Sequence, residues 1–560
     1  MPTFTEALLE HHRRYPEKTA LTLILPNQQD TPVSYRDLVS SALPYARALE
    51  QAGIQPGEVV ILILQHSRAL VDAYWGAILH GAIPAIMPFL TEKLLPERYR
   101  ADLASLVGIT QPEGILTYGE FADEVYAAIG EKSSVRRVLL IEDIQPAADA
   151  PGLEALGGLR RQPSDTVLLQ HSSGTTGLQK GVALSHQAVF NQLVAMQAAL
   201  RLSEEDVIVS WLPLYHDMGL IAGYLMPILA GVPLVLMSPF DWVRAPYKLM
   251  HVITRYKGTL AWLPNFAYNF CAQKTRDRHL EGVDLSSWRA VINCSEPVRH
   301  ASHMAFLERF APYGFRREAL AASYAMAENT FAVTQGGIDA PLTLDEIDRE
   351  DFQTLRLANA PHGGRPTLTM VSNGAPVPGT EAKVVDAQGA TLPERHVGEI
   401  ALRSNCMLTE YYKRPDATRE AFRDGWYLTG DYGYIVNGEL YVSGRKKDLI
   451  IVGGKNVYPQ DLETLAMEVP GVHAGRVSAF GVFNEEAGTE DVVIVAEVDE
   501  DDEDARQHIA DQVRQHVTRN SAIALRHVHL VERHWMVKTS SGKTARLANK
   551  DKYLKEMGLG

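Results

Sequence analysis

The sequence predicts an α/β protein: a large N-terminal domain with mixed and parallel sheets plus a small β-rich subdomain, followed by an α+β C-terminal domain. Three observations carry this. Short apolar runs alternate with helical stretches through the first two thirds of the chain, as in parallel sheets covered by helices. Near Thr369 the texture changes to short strands and turns. Beyond 449 a separate pattern of helices and strands begins.

In chain order, residues 1–20 lack the apolar core of a signal peptide and read as an amphipathic first helix. Residues 34–53 form a second helical pattern, and VVILIL (59–64), LLIE (139–142), TVLLQ (166–170), DVIVSWLP (206–213), VPLVLM (232–237) and RAVINC (289–294) read as strands. Met218 to Phe240 carries no charge, but Gly219, Gly223, Pro227, Gly231, Pro233 and Pro239 break it into a helix, a turn and a buried strand, so no membrane span is expected. Asn437-Gly438 between YGYIV and ELYVSG is a hairpin signal. Pro459 suits the first turn of a helix. Strands at 477–483 and 491–498, a helix at 505–517 and a strand at 527–532 follow. The acidic run Asp499 to Asp504 reads as a solvated loop.

A chain of 560 residues exceeds a single core, and 46% hydrophobic with 22% charged residues is ordinary for a soluble protein. A net charge of −14 offers no basic face for nucleic acid. Cys271, Cys294 and Cys406 lie in no CxxC or Cys/His spacing, which argues against a disulfide framework or structural zinc and for a cytoplasmic location.

The stretch 169–186, LQHSSGTTGLQKGVALSH, is the richest in chemistry. Ser172, Ser173, Gly174, Thr175, Thr176 and Gly177 offer backbone N–H groups and hydroxyls to an anion, and Lys180 adds a point charge. Lys180 is followed by Gly181, so this is no Walker loop. A strand before it and the helix 186–200 after it suit a phosphate cradle between strand and helix. Alone, such a stretch is equally a polar surface loop.

Further motifs follow in order: Trp211 to Gly219 (WLPLYHDMG), Asn293 to Pro297 (NCSEP), Ser323 to Glu328 (SYAMAE), Tyr427 to Asp431 (YLTGD), Gly444 to Asp448 (GRKKD) and Lys538 to Lys543 (KTSSGK). Each alone is ordinary: an acidic turn residue, a basic surface, a loop lysine. As an ordered set they resemble the adenylate-forming superfamily of acyl-CoA ligases, amino-acid adenylation domains and luciferases.

That resemblance implies ATP-dependent conversion of a carboxylic acid to an acyl-adenylate with release of pyrophosphate, then displacement of AMP by a thiol. It implies that Ser172 to Gly177 and Lys180 hold the β- and γ-phosphates and that Glu328 carries Mg²⁺. Tyr324 would stack on adenine beside Met326, with Ser295 and Glu296 also at the nucleotide. Asp431 would accept from the ribose hydroxyls, Arg445 would steady ribose and phosphate, and Lys543 would bridge the carboxylate and the α-phosphate. His216 reads either as a packed histidine or as a gate at the acyl pocket. The resemblance divides the chain into an adenylation domain (1–443, with its β-rich subdomain about 369–443), a hinge (444–448) with Lys447 at the pivot, and a mobile domain (449–560). Gly453-Gly454 would enter the site in the second pose.

Pro264-Asn265-Phe266-Ala267-Tyr268, Ser295-Glu296-Pro297 and Tyr458-Pro459-Gln460-Asp461 resemble the fatty acyl-AMP ligase branch, which loads a carrier protein. An extra stretch from about Leu342 to Thr367 would match the insertion that restrains the C-terminal unit there. The implied partners are a fatty acid and a separate holo-acyl carrier protein or polyketide synthase carrier domain; the alternative acceptor is CoA. Ala325 stands where Gly is usual, Glu410 replaces the Gly usual before the Tyr pair, and Gly453-Gly454 is closer to the general ligase form.

Overall fold

The structure, a computed structural model, describes all residues except 27, 90–95, 131–132, 146–151, 172–179, 453–454, 486–488, 522, 524, 540–541 and 559–560. Its largest sheet has seven strands, ordered Leu320–Ala322, Ala290–Asn293, Leu260–Leu263, Ile208–Ser210, Leu234–Met237, Thr19–Ile24 and Thr31–Ser34. The neighbours are parallel up to the last, antiparallel pair. Almost every residue of the parallel strands is buried, the pattern of a sheet covered on both faces. A second sheet of four parallel strands holds Ile83–Ile86, Val59–Leu62, Gly114–Thr117 and Arg137–Leu140.

Helices start where the sequence supplies caps. Thr3 with Glu6 forms a capping box on the amphipathic helix Phe4–Arg14, and Ser34 with Asp37 does the same for Tyr35–Gln51. The uncharged stretch after Met218 folds as a helical segment Met218–Ala230, a left-handed Gly231 (φ +74°) and the buried strand Leu234–Met237. No helix among the described residues is long and apolar enough to cross a membrane.

The Gly/Thr-rich loop departs from expectation in one respect. Its residues 172–179 lie outside the described ones, but its flanks do not form strand and helix. Thr166–His171 pairs antiparallel with a second strand, Gly181–Ser185, and the helix His186–Leu200 begins only after it, capped by Ser185. The run Gly181-Val182-Ala183-Leu184 is apolar and buried throughout, so its period could not separate strand from helix. Glu410–Tyr411 adds a third strand on its far side.

A five-stranded sheet contains Thr380–Val385, Gly398–Ser404, Phe422–Arg423, Trp426–Val436 and Glu439–Arg445. The last two form the hairpin expected at Asn437-Gly438, both with positive φ (51° and 78°). The extra stretch is ordered. Leu344–Asp348 pairs with Thr367–Val371, and a short helix Arg349–Thr354 lies between them. Ile347, Phe352 and Ala358 from this stretch share one core with Val397, Tyr434, Tyr441 and Tyr458. Phe352 is the wedge: its ring centroid is 6.3 Å from Tyr434 and 5.7 Å from Tyr458.

The C-terminal domain packs Val472–Asn484, Thr489–Val498 and His527–Val531 into one sheet against the helices Pro459–Met467, Glu503–Ser521 and Arg546–Glu556. Pro459 occupies the first helical turn, as expected. Asp499 pairs with His473 and Arg533 while Asp501 and Asp502 are exposed, a solvated loop.

Candidate active site

Loops at the C-terminal ends of the parallel strands carry the motifs, the place where open α/β sheets bind ligands. Trp211 to Asp217 follows Ile208–Ser210, Pro264-Asn265 follows Leu260–Leu263, Cys294 to Pro297 follows Ala290–Asn293, and Ser323 to Glu328 follows Leu320–Ala322. Asn293 ties two of these loops: its amide donates to Asn265 Oδ1 at 3.0 Å and lies 2.9 Å from His303 Nε2.

Tyr324 and Asp431 meet across the sheets. The Tyr324 hydroxyl donates to Asp431 Oδ2 at 2.6 Å and lies 4.0 Å from Met326 Sδ. Arg445 sits opposite Asp431 on the neighbouring strand, its Nε 3.8 Å from Oδ1. Burial raises the Asp431 carboxyl above its usual range, and Arg445 and Tyr324 only partly offset this. One carboxylate oxygen is thus fixed by Tyr324, and the arginine lies beside the other.

Glu328 lies in a single 3₁₀ turn, Ala327–Asn329, and a strained backbone follows it. Thr330 has φ +62° and ψ −54°, and Phe331 N–H donates to Asn329 O at 2.6 Å, which closes a γ-turn of the rare, positive-φ kind. A β-branched residue there is a true outlier and persists only where its surroundings hold it. They do: Thr330 Oγ1 donates to Cys406 O at 2.7 Å and Phe331 N–H also reaches Gln192 Oε1 at 3.2 Å. The Glu328 carboxylate accepts from Tyr411 Oη at 2.8 Å. Burial raises its pKa against that hydrogen bond. Lys180 Nζ lies 4.5 Å from the centre of the same Tyr411 ring.

Lys543 reaches in from the C-terminal domain. Its turn is tight, with Thr539 N–H donating to Lys543 O at 2.8 Å and Gly542 at φ +83°. Its ammonium donates to Ser295 O at 2.6 Å. Ser295 itself has φ +68°, unusual for a serine. Burial, helped by Arg445, lowers the Lys543 pKa against the pull of Glu296 and Asp217. Glu296 commits one oxygen elsewhere: Oε2 accepts Phe266 N–H at 2.8 Å, at the start of the helix Asn265–Lys274. His216 Nδ1 is 2.6 Å from Asp217 Oδ1, too poorly aligned for a hydrogen bond, while Met218 N–H donates to that oxygen at 2.7 Å. Burial works to raise the Asp217 carboxyl, yet His216, Lys543 and the Met218 N–H hold it low.

The segment before the C-terminal domain is pinned on one side. Lys446 Nζ donates to the buried Glu399 at 2.8 Å, while burial and Arg445 lower the pKa of the next residue, Lys447. Across the domains, Arg299 pairs with Asp461 at 2.7 Å, Arg356 donates to Asn456 Oδ1 at 3.0 Å, Asn456 donates to Gln353 O at 3.1 Å, and Arg349 donates to Asn520 O.

Of the residues singled out from the sequence, Tyr324, Met326, Asp431 and Arg445 form one cluster, and Lys543, Ser295, Glu296 and Asp217 a second. Glu328 and Lys180 share Tyr411. Ser172 to Gly177 and Gly453-Gly454 lie outside the described residues. Sequence reasoning missed Tyr411, Tyr427 and the Arg299–Asp461 pair. The first two stand in quoted motifs, but their spacing of sixteen residues bears no period that brings them together.

The cysteines are chemically quiet: burial pushes the Cys294 thiol up to about 12 and Cys406 to about 11.

Residues 8–412 match the AMP-binding enzyme family. A protein of Caulobacter vibrioides named provisionally as an acyl-CoA synthetase is 32% identical over 93% of this chain and 92% of its own. A medium-chain-fatty-acid–[acyl-carrier-protein] ligase of Moorena producens is 29% identical over 98% of this chain and 94% of its own. A solved structure from a study of fatty acyl-adenylate ligases from E. coli and L. pneumophila superimposes with a TM-score of 0.90 at 27% identity, covering 100% of this chain and 99% of that one. The chain is a member of the AMP-binding enzyme family.

Proposed function

We propose that this enzyme activates a medium- or long-chain fatty acid with ATP and passes the acyl group to the phosphopantetheine thiol of a separate carrier protein. The observation that carries the first step is Lys543. It crosses from one domain to the other, to Ser295 O at 2.6 Å, in a site whose other groups are Asp431, Arg445, Glu328 and Lys180. A carboxylate oxygen forms a bond to the α-phosphorus, and the bond to the β-phosphate oxygen breaks with its electron pair leaving on pyrophosphate. Two anions must meet, so cations fixed in advance lower the barrier. Lys543 serves the attacking carboxylate and the α-phosphate. Lys180 and the loop Ser172 to Gly177 serve the leaving pyrophosphate. Tyr324 and Met326 flank adenine, with Ser295 and Glu296 at the nucleotide, Asp431 accepts from ribose, and Arg445 steadies it. His216 lines the acyl side.

The residues present suit Mg²⁺. Glu328 offers a single half-buried carboxylate, and Mg²⁺ prefers one or two carboxylates with phosphate oxygens supplying the rest. When bound, the ion neutralises triphosphate charge. Among the described residues the only grouping of three metal-ligating side chains is Asp348, Asp351 and His362 in the extra stretch, where Arg365, 3.6 and 3.2 Å from the two aspartates, already offsets part of the charge.

The second step needs a different pose, reached by rotation of 449–560 about Lys447 in the 444–448 hinge; lid motions of this kind often limit turnover. The extra stretch bridges the domains through Arg349, Gln353 and Arg356. It therefore stabilises the adenylation pose, and an acceptor must supply binding energy to leave it. A carrier touching both domains has more such energy than free CoA. CoA remains the alternative acceptor, on the name carried by the Caulobacter relative.

Carboxylate-dependent exchange of labelled pyrophosphate into ATP tests the first step. Exchange stimulated by octanoate or palmitate is expected; none with any acid, in folded protein that binds ATP, contradicts it. Asp431→Ala should weaken ATP binding by about ten- to a hundredfold in calorimetry, the net scale of one hydrogen bond to a charged group, roughly 1.5–3 kcal/mol. Affinity within twofold of wild type would remove Asp431 from the ribose.

A further inference from the structure

Glu328 follows a strand of the seven-stranded sheet and Lys180 precedes a strand of the three-stranded one, and one side chain touches both. Tyr411 is 3% exposed. Its hydroxyl donates to Glu328 Oε1 at 2.8 Å, and its ring face lies under Lys180 Nζ, 4.5 Å from the centroid. The hydroxyl is in turn 2.9 Å from Tyr427 Oη. Because Tyr411 spends its proton on the carboxylate, Tyr427 must be the donor of that second bond. The chain Tyr427→Tyr411→Glu328 is therefore directed, and hydrogen bonds in such a chain polarise one another. Tyr427 lies on the same strand as Asp431, Trp426–Val436, so the relay starts on the ribose-side strand.

The backbone repeats this bracing. Tyr411 pairs with Val182 and Tyr412 N–H donates to Gly181 O at 2.8 Å, fixing the strand that Lys180 precedes. Leu408 N–H donates to Glu328 O at 2.7 Å and Thr409 N–H to Ala183 O at 2.9 Å. A single segment, 408–412, thus holds the exit of the Gly/Thr-rich loop and the turn that bears Glu328. A ring that served only to fill space would need neither its hydroxyl nor a cation on its face. Both are in use, and both lead to charged groups of the triphosphate site.

We propose that Tyr411 is a positioning residue that holds Glu328 and Lys180 at a set separation and so determines how strongly Mg²⁺ enhances triphosphate binding. This rests on the reading of Glu328 and Lys180 given above. The hydroxyl aims one carboxylate oxygen and leaves the other for the ion. The ring face keeps the ammonium beside the leaving phosphates by a cation–π contact. Tyr427 is the outer member of the relay.

The test is calorimetric titration of α,β-methylene ATP into wild type, Tyr411→Phe, Tyr411→Leu and Tyr427→Phe over a series of Mg²⁺ concentrations, with thermal melting as the folding control. In Tyr411→Phe the Mg²⁺-free affinity should stay within about twofold, while the Mg²⁺ enhancement falls about tenfold, the scale of one hydrogen bond to a charged group. Tyr411→Leu should also weaken Mg²⁺-free binding by about threefold, through loss of the cation–π contact. Tyr427→Phe, which leaves the Glu328 contact in place, should lower the enhancement by about two- to threefold and carries the test if Tyr411 variants do not fold. Loss of affinity by one factor at every Mg²⁺ concentration, or an unchanged Mg²⁺ dependence in the Phe variants, would overturn the proposal. Wild type that binds the analogue equally with and without Mg²⁺ would instead overturn the reading of Glu328 on which it stands.

Discussion

Lys543→Ala lowers carboxylate-dependent pyrophosphate exchange by about a hundred- to a thousandfold, the cost of removing one donor aimed at developing charge. Folding survives, because the side chain sits on a tight loop and its ammonium bonds to a backbone carbonyl, Ser295 O; the stability change stays within about 0.5 kcal/mol. ATP binding changes little, because the effect is on the transition state. The same residue sets an alkaline limit. Its protonated form does the work, and burial lowers its pKa from the ordinary 10.5, so activity is lost as pH rises and at a lower pH than for a free lysine. Lys543→Arg, which stays charged throughout, should lose that alkaline limb even where its rate is lower. Exchange near the wild-type rate in Lys543→Ala, or an alkaline limb retained in the arginine variant, would remove Lys543 from the chemistry.

The second large effect is on acceptor choice. Arg349→Ala/Arg356→Ala removes two hydrogen bonds from the extra stretch to the C-terminal domain, those to Asn520 O and Asn456 Oδ1. At roughly 1 kcal/mol each, their loss shifts the balance between poses by about thirtyfold. The double variant should therefore make acyl-CoA about ten times faster than wild type at fixed CoA, with pyrophosphate exchange within about twofold. Deleting the stretch outright is a poorer test: it strips Ile347, Phe352 and Ala358 from a core shared with Tyr434, Tyr441 and Tyr458. Equal loss of exchange and thioester formation in the double variant would mean that the stretch holds the fold and not the pose.

Where residue type alone determines local geometry, the chain was legible. Asn437-Gly438 adopts the two positive φ values its turn demands, Pro459 opens its helix, and the Gly/Pro-broken stretch after Met218 folds as helix, turn and strand. The segment Gly181–Ser185 was not, because a short run buried on both sides has no period to read. The extra stretch was visible as length, but its hairpin depends on a pairing from Leu344 to Val371 that local patterns do not encode. In the site, charged and hydroxyl groups in motifs were readable one by one, whereas their contacts were not. Tyr324 donating to Asp431 spans 107 residues, and Lys543 reaching Ser295 spans 248. Nor does any sequence signal mark the γ-turn at Thr330, which Cys406 and Gln192, from two distant segments, hold in place. Such strain is found where function needs it and is set by the surroundings.

Fatty-acid activation and the choice of thiol acceptor can be read together in one vessel. Wild-type protein, MgATP and palmitate are mixed with CoA and a holo-acyl carrier protein at equal concentration, and the early products are read by mass spectrometry. Acyl-carrier should be the dominant thioester, with acyl-AMP detectable on the enzyme when both thiols are left out. Acyl-CoA formed as fast as acyl-carrier would contradict transfer to a carrier.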